Sequence, residues 1–342
     1  MTDRGTVENL HADLRTAWHR YVDLTASLRP DLYGYCRRLA GNVWDAEDLV
    51  QDTLLRAFGR WGASYGGEVH NPRAYLLRAA TNAWIDAVRR REAEARALRE
   101  SADPAADPAA RPELATELRS AGALLLQRLS PQESAAVVLK EMFDMPLEEI
   151  AGLLATTPGA VKSALHRGRG RLREPEDAAA PRRPAPTAEL LDRFVALCDA
   201  QDVKGLVGLM LASGSAENLG NSYHVGADPE QGFPRFLRSV VHGHAEWPPQ
   251  FQPAAWRFAR SEFEGEPIVL GLYTYPGREE TLTSIFRFEE HEGRIARIRS
   301  YAFCPETMRA IGERLGLRVI TGLYRAPTLA PGEDYPETVG QR

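Results

Sequence analysis

Two sets of polar side chains in this 342-residue chain fall at helical spacing and are opposite in sign. Asp45, Glu47, Asp48, Gln51 and Asp52 lie along one short stretch; Lys162, Ser163, His166, Arg167, Arg169, Arg171 and Arg173 lie along another, with no acid before Glu174. The chemistry such sets can do is recognition. Carboxylates on one face suit a cationic protein surface. A run of guanidinium groups, with a histidine, a lysine and a serine ahead of them, suits the phosphates and base edges of duplex DNA. Covalent chemistry is poorly served. His242-Gly243-His244 could chelate a metal, but no third ligand is tied to it by spacing. Cys36, Cys198 and Cys304 are far apart and odd in number, so they make neither a ligand set nor a disulfide framework. No catalytic residue, metal ligand or cofactor is expected.

The acidic set needs a helix beneath it. Ala46, Leu49, Val50, Leu54, Ala57, Phe58 and Trp61 recur at three- and four-residue steps and share one face. Asp45 is the expected N-cap, and Glu47 and Asp48 sit in the first turn, where carboxylates suit the helix dipole. The expected helix has an apolar back and an acidic front; a merely solvated outer face is the plain alternative. The basic set needs a helix-turn-helix. Ser130 caps a first helix with Glu133 at the capping-box position, and Val137, Val138 and Met142 point inward. Pro146–Leu154 makes a short helix, Ala155-Thr156-Thr157 the turn, and Pro158 starts a second helix capped by Thr157. Ile150, Ala151, Leu154, Val161 and Leu165 pack the two together, and Gly168 and Gly170 each lower intrinsic helicity by ~1 kcal/mol. The leading residues of such a helix meet bases and the trailing arginines meet phosphate. Between these stretches, Asn71-Pro72 opens a further helix. Its buried side is Leu76, Leu77, Ala80, Trp84, Ile85 and Val88. Its other side is mainly cationic: Arg73, Arg78, Asn82, Asp86, Arg89, Arg90 and Arg91.

The pairing of the Asp45–Phe58 helix with the Pro146–Arg173 helix-turn-helix resembles bacterial RNA polymerase sigma factors of the extracytoplasmic-function (ECF) class. The resemblance implies that the D-A-E-D-L-V-Q-D-T helix binds the clamp helices of the largest polymerase subunit, through Asp45, Glu47, Asp48, Gln51 and Asp52. It implies that Arg73, Arg78, Asn82, Asp86, Arg89 and Arg90 hold the unwound downstream promoter element. Cationic groups for phosphate and an aromatic for splayed bases fit that task, although the spacing of Trp84 favours core packing. It also implies that Thr157, Lys162, Ser163, His166, Arg167, Arg169 and Arg171 read the upstream element, the helix-turn-helix engaging the flap region of the polymerase.

Length allows two or three domains. Residues 1–20 read as an N-terminal extension, 21–96 as the first helical domain and 97–118 as an Ala/Pro-rich linker; the resemblance implies that this linker threads the polymerase cleft, and a passive tether is an equally good reading of the residues. Residues 119–174 hold the helix-turn-helix, 175–186 a proline-rich linker, 187–325 a third domain and 326–342 a tail. The first helix of the chain carries Leu28, Leu32, Tyr35 and Leu39, is restarted at Pro30 and ends at Gly41-Asn42. Apolar content is 44%, charged content 26% and formal net charge −5. Attraction to nucleic acid is therefore local and not a property of the whole chain. The start of the chain has no apolar stretch of signal length, and no apolar run is long enough to span a bilayer. A cytoplasmic protein with no membrane partner is expected.

In the third domain, helices up to about Met210 and over Pro229–Gly243 precede four strands, Ala255–Phe263, Ile268–Tyr275, Leu282–Phe288 and Ile295–Phe303. E-G-E-P, P-G-R-E and E-E-H-E-G are the hairpin signals, and a helix from Pro305 closes the domain. The order resembles the SnoaL-like branch of the NTF2-like fold, a curled sheet around a conical pocket. The expected fold is thus multidomain: two all-α sigma domains, the second with a helix-turn-helix, and a C-terminal α+β cone. Some ECF subfamilies carry such a domain, which contacts the sigma core and adjusts its activity. The N-P-D-K-L-like motif of one subgroup is absent; Phe303-Cys304-Pro305-Glu306-Thr307-Met308 stands there. Tyr223, His224, Trp256, Tyr273 and Tyr301 are the candidate lining of a ligand-responsive pocket, against a core-filling role for the aromatics. His224, His242, His244, Asp228 and Tyr223 are what an enzyme of the fold would use. Three functions compete: a sigma factor with a non-catalytic regulatory domain, a ligand-responsive helix-turn-helix regulator that is not a sigma factor, and an NTF2-like enzyme fused to a DNA-binding module.

Overall fold

A computed structural model describes residues 21, 25–63, 71–101, 129–141, 143–171, 185–242, 252–321 and 338–339. The described residues through Arg171 form one compact unit and those from Ala185 onward a second. The expected N-terminal extension, most of both linkers, Trp61, Met142 and His244 lie outside the described residues or have side chains outside them.

The first unit is helical. Helix α1 (Arg29–Ala40) carries Pro30 in its first turn and ends on Gly41, whose φ of 87° is the left-handed conformation that glycine adopts without strain. Helix α2 (Val43–Ala63) follows at once. Its cap is Asn42, three residues before the expected cap: the Asn42 side chain accepts from the Asp45 backbone N–H at 2.7 Å and donates to the Asp45 carboxylate at 3.2 Å. Asp45 is therefore the first-turn partner of the cap and not the cap itself. Helix α3 (Pro72–Ser101) is capped by Asn71 as expected, at 3.0 Å from the Ala74 N–H. It runs to Ser101, into the stretch expected as linker, because Arg91–Arg99 is made of strong helix formers.

Helices α4 (Pro131–Glu141), α5 (Leu147–Leu153) and α6 (Pro158–Arg171) make the helix-turn-helix. The capping box forms: the Ser130 N–H donates to Glu133 at 3.0 Å and the Glu133 N–H to Ser130 Oγ at 3.3 Å. Ala155, with φ of 51°, turns the chain between α5 and α6. One apolar core runs through the whole unit, from Leu32, Val50 and Leu77 to Val138, Ile150 and Val161. Across it, the Tyr35 ring meets Phe143 edge-on at 5.9 Å, and the Tyr35 hydroxyl hydrogen-bonds Thr81 at 2.7 Å.

The second unit is α+β. Helices α7 (Ala188–Asp199) and α8 (Val203–Leu209) break at Asp202, which caps α8. Strands β1 (Met210–Asn218) and β2 (Ser222–Val225), helix α9 (Phe233–His242), strands β3 (Ala255–Phe263), β4 (Glu266–Thr274), β5 (Thr281–His291) and β6 (Arg294–Ser300), helix α10 (Pro305–Leu315) and strands β7 (Arg318–Ile320) and β8 (Thr338–Val339) follow. The sheet order is β2-β1-β6-β5-β4-β3, with β7 against β5 and β8 against β7. The β3–β4 and β5–β6 loops are two residues each, Glu264-Gly265 and Glu292-Gly293, all at positive φ, the primed turns that suit strand twist. Strands β3 to β6 are the four expected. Strands β1, β2, β7 and β8 are not, and β1 runs parallel to β6, so the sheet is mixed and not a plain meander. Leu211–Asn218 carries no β-branched or aromatic residue, and its strand state comes from pairing on both sides. Leu191, Phe194, Phe236 and Leu237 of the helices fill one face of the sheet against Phe258, Val269, Phe286 and Phe288.

Candidate functional site

The exposed side of α2 follows from its helical phase. Val43, Ala46, Val50, Leu54 and Ala57 are buried, and so is Glu47. Glu47 was expected on the acidic front; it is 0% exposed, accepts from Arg29 at 2.7 Å and from Gln51 at 2.7 Å, and lies inside the helical unit. The reason is angular: Glu47 stands one helical turn from Val43 and Val50, so it belongs to the inward face, and donation from Arg29 and Gln51 makes a carboxylate tolerable there. Nothing in the residues next to Glu47 signals Arg29 as a partner. Asp48, Gln51 and Asp52 are half-buried on the outer side. Arg56 donates to Asp52 at 2.9 Å and to Asp86 of α3 at 3.3 Å, and its pKa is raised, first by its hydrogen bond to Asp52.

On α3, Arg78, Asn82, Asp86, Arg89 and Arg90 are all exposed, and their spacing of four residues (three at the last step to Arg89) puts them in one stripe. Arg73 is not in the open part of that stripe. It donates to Asp31 at 2.6 Å and its guanidinium lies over the Phe143 ring at 5.6 Å, as Arg38 does on the same ring. Trp84 is half-buried and packs on the core, as its spacing indicated.

On α6, Thr157 caps the helix by accepting from the Ala160 N–H at 3.2 Å. Gly159, Ala160, Lys162, Ser163 and His166 are exposed and form the leading outer surface. Arg167 and Arg169 are exposed too, but both are tied back to α4: Arg167 donates to the buried Glu133 at 2.9 Å and Arg169 to Glu141 at 3.0 Å. Gly168 allows this approach, since a Cβ there would stand 2.9 Å from Val137 Cγ2. The Arg171 side chain lies outside the described residues.

The expected pocket set of the second unit does not converge. Tyr223 is 61% exposed on edge strand β2, and His224 beside it contacts the Gln231 carbonyl at 3.2 Å. Trp256 pairs with Tyr273 at the opposite edge of the sheet. Tyr301 is fully buried and accepts from Arg287 at 3.2 Å. Sheet order puts β2 and β3 at opposite ends of the strand path. Among the described residues no group of three His, Cys, Asp or Glu could hold a metal ion, and no helix is long and apolar enough to cross a membrane.

The regions that carry these helices match known proteins. Residues 24–94 match the model for Sigma-70 region 2, and residues 123–172 that for Sigma-70, region 4. ECF RNA polymerase sigma factor SigG of Mycobacterium tuberculosis is 32% identical over 217 residues, covering 55% of this chain and 58% of SigG. The chain thus spans a little over half the length of that relative. RNA polymerase sigma factor CarQ of Myxococcus xanthus is 37% identical over 156 residues, 45% of this chain and 87% of CarQ. RNA polymerase sigma-E factor of Streptomyces coelicolor is 36% identical over 144 residues, 40% of this chain and 75% of that factor. Among solved structures, Mycobacterium tuberculosis SigJ covers 84% of this chain and 98% of its own at 22% identity and a TM-score of 0.30. An NTF-2 like protein of Burkholderia xenovorans covers 33% of this chain and 79% of its own at 17% identity and a TM-score of 0.24. At those scores the architecture of each unit stands on its own topology. The matched regions and the relatives covered over most of their length agree: this chain belongs to the ECF class of RNA polymerase sigma factors.

Proposed function

We propose that the protein binds core RNA polymerase and directs promoter-specific initiation, doing no covalent chemistry itself. The observation that carries this is the presence, in one helical unit, of an acidic outer face on α2 and a cationic outer face on α6. A plain helix-turn-helix regulator explains only the second. Asp48, Gln51 and Asp52, with Asp45 at the rim, are the polymerase contacts; Glu47 supports them from inside. Arg78, Asn82, Arg89 and Arg90 hold the opened strand near the downstream element, with Asp86 setting the position of Arg56. Lys162, Ser163 and His166 reach base edges of the upstream element from the start of α6. Arg167 and Arg169 reach phosphate from positions already anchored on α4. The second unit is a regulatory module, and the protein works where the polymerase does, in the cytoplasm.

The test is reconstitution. Core polymerase, this protein and a promoter fragment are mixed with no other sigma factor, and run-off transcripts are measured. Specific initiation is expected, and Asp48→Arg should abolish it while leaving the circular dichroism melt unchanged. A requirement for a second sigma factor would refute the proposal.

A further inference from the structure

Strand β2 is an end of the sheet. It pairs with β1 on one side, and among the described residues no strand lies on its other side. Sheet edges are usually blunted by charge, proline or a bulge. Ser222-Tyr223-His224-Val225 carries no formal charge and no proline, and its register with β1 is unbroken. Its side chains divide by face. His224 turns toward Phe236, with ring centroids 6.2 Å apart, on the face that the helices fill. Tyr223 and Val225 turn to the other face and are 61% and 54% exposed. Its backbone divides as well. The Gly226 N–H donates to Gly214 of β1 at 2.9 Å. Alternation along the strand then points the backbone groups of Tyr223 and Val225 away from β1, toward the open edge. The two residues that present apolar side chains are thus the two that present backbone donors and acceptors.

We propose that β2 pairs with β2 of a second copy of this chain, antiparallel about a two-fold axis at His224, so that two sheets join edge to edge. Self-complementarity selects this occupant. A closed dimer needs a surface on which, if one residue meets a second, the second meets the first. With the axis at His224, Tyr223 of each copy stands opposite Val225 of the other, an aromatic side chain against a β-branched one at both places. Each of these pairs also exchanges both N–H···O bonds, because its backbone groups face the seam. Other registers lose this. An axis at Tyr223 sets Val225 against Asn221, and an axis at Val225 sets Tyr223 against Ala227. Charge does not oppose the pairing. Behind Tyr223, on the same face, the Glu217 carboxylate accepts from Arg297 at 2.9 Å and from Arg299 at 2.5 Å, so it is met within its own copy. The seam is short, which puts the contact in the weak, concentration-dependent class that buries less than ~1,200 Å².

The experiment uses the full chain. Sedimentation velocity over a rising concentration series should show monomer passing into dimer. Tyr223→Lys and Val225→Lys, which bring charge to the seam, should each weaken self-association by about tenfold or more, and their thermal melts should match the parent because both side chains face outward. His224→Cys reads the register. Across the axis its Cα atoms stand ~4.5 Å apart as a non-hydrogen-bonded pair, within the reach of a disulfide, so mild oxidation should give a covalent dimer. Ser222→Cys, ~14 Å from its mate in that register, should give none. Cys36, Cys198 and Cys304 are buried and do not compete. Monomer at every concentration, with no covalent dimer from His224→Cys, overturns the proposal. A dimer that both lysine variants leave intact overturns it by moving the contact off β2. Cross-linking of Ser222→Cys as readily as His224→Cys overturns the two-fold register. Monomer throughout, with a foreign polypeptide released by Val225→Lys, overturns it by giving the edge to another protein.

Discussion

Replacing Glu47 by alanine separates the structural role of that carboxylate from the recognition role its sequence suggests. Glu47 is fully buried and Arg29 is 6% exposed, with 2.7 Å between them. Removing the acid takes the countercharge from beside a desolvated guanidinium, which costs about 3–5 kcal/mol when one member of a buried pair is lost. Set against a typical domain stability of about 5–15 kcal/mol, that is roughly a fifth or more of the total. With a urea slope of roughly 1–3 kcal/mol per molar, the unfolding midpoint should fall by at least about 1 M. The assay should report on the helical unit alone, since the chain has two units: hydrogen exchange of the Val50 and Leu54 amides at increasing urea does so. Arg29→Met combined with Glu47→Leu should recover most of the loss, because buried pairs are often replaceable by apolar groups of similar volume. If Glu47→Ala kept the parent midpoint yet lost polymerase binding, the burial argument would be refuted and Glu47 would return to the docking face.

Other expectations follow from the same structure. Arg167→Ala should lower stability by about 1 kcal/mol, a partly exposed pair being discounted for solvent, and weaken all DNA sequences alike, whereas His166→Ala should change base preference in a selection from random upstream elements. Gly168→Ala should destabilise by about 1–3 kcal/mol through crowding of Val137, although alanine is the better helix former by ~1 kcal/mol; a rise in melting temperature would show that α4 can yield. Burial pushes the Cys36 thiol well above its usual range, with Glu47 adding to it, and burial raises the Cys198 thiol as well. With Cys304 also buried, a thiolate-selective reagent should label none of the three in folded protein near neutral pH and all three in denaturant.

What the sequence made legible is what short-range chemistry dictates. The Ser130–Glu133 capping box, the Asn71 and Thr157 caps and the two Glu-Gly hairpins each depend on residues within a few positions of one another, and each formed as expected. What it did not reveal depends on partners far along the chain. Glu47 looks like a surface acid until Arg29, eighteen positions earlier, is found beside it. Arg167 looks free to read bases until Glu133 is found accepting from it across the helix pair. Strand β1 has no strand-forming residues and exists because β2 and β6 flank it. The charged residues therefore sort by depth and not by sign. Those held by buried partners, Glu47 and Arg167, set the positions of helices α2 and α6. Those at the rim, Asp48, Asp52, Lys162 and His166, are the ones we propose meet other molecules. A charge-reversal series should follow that division: reversal at Glu47 should act first through stability, and reversal at Asp48 or Lys162 first through binding.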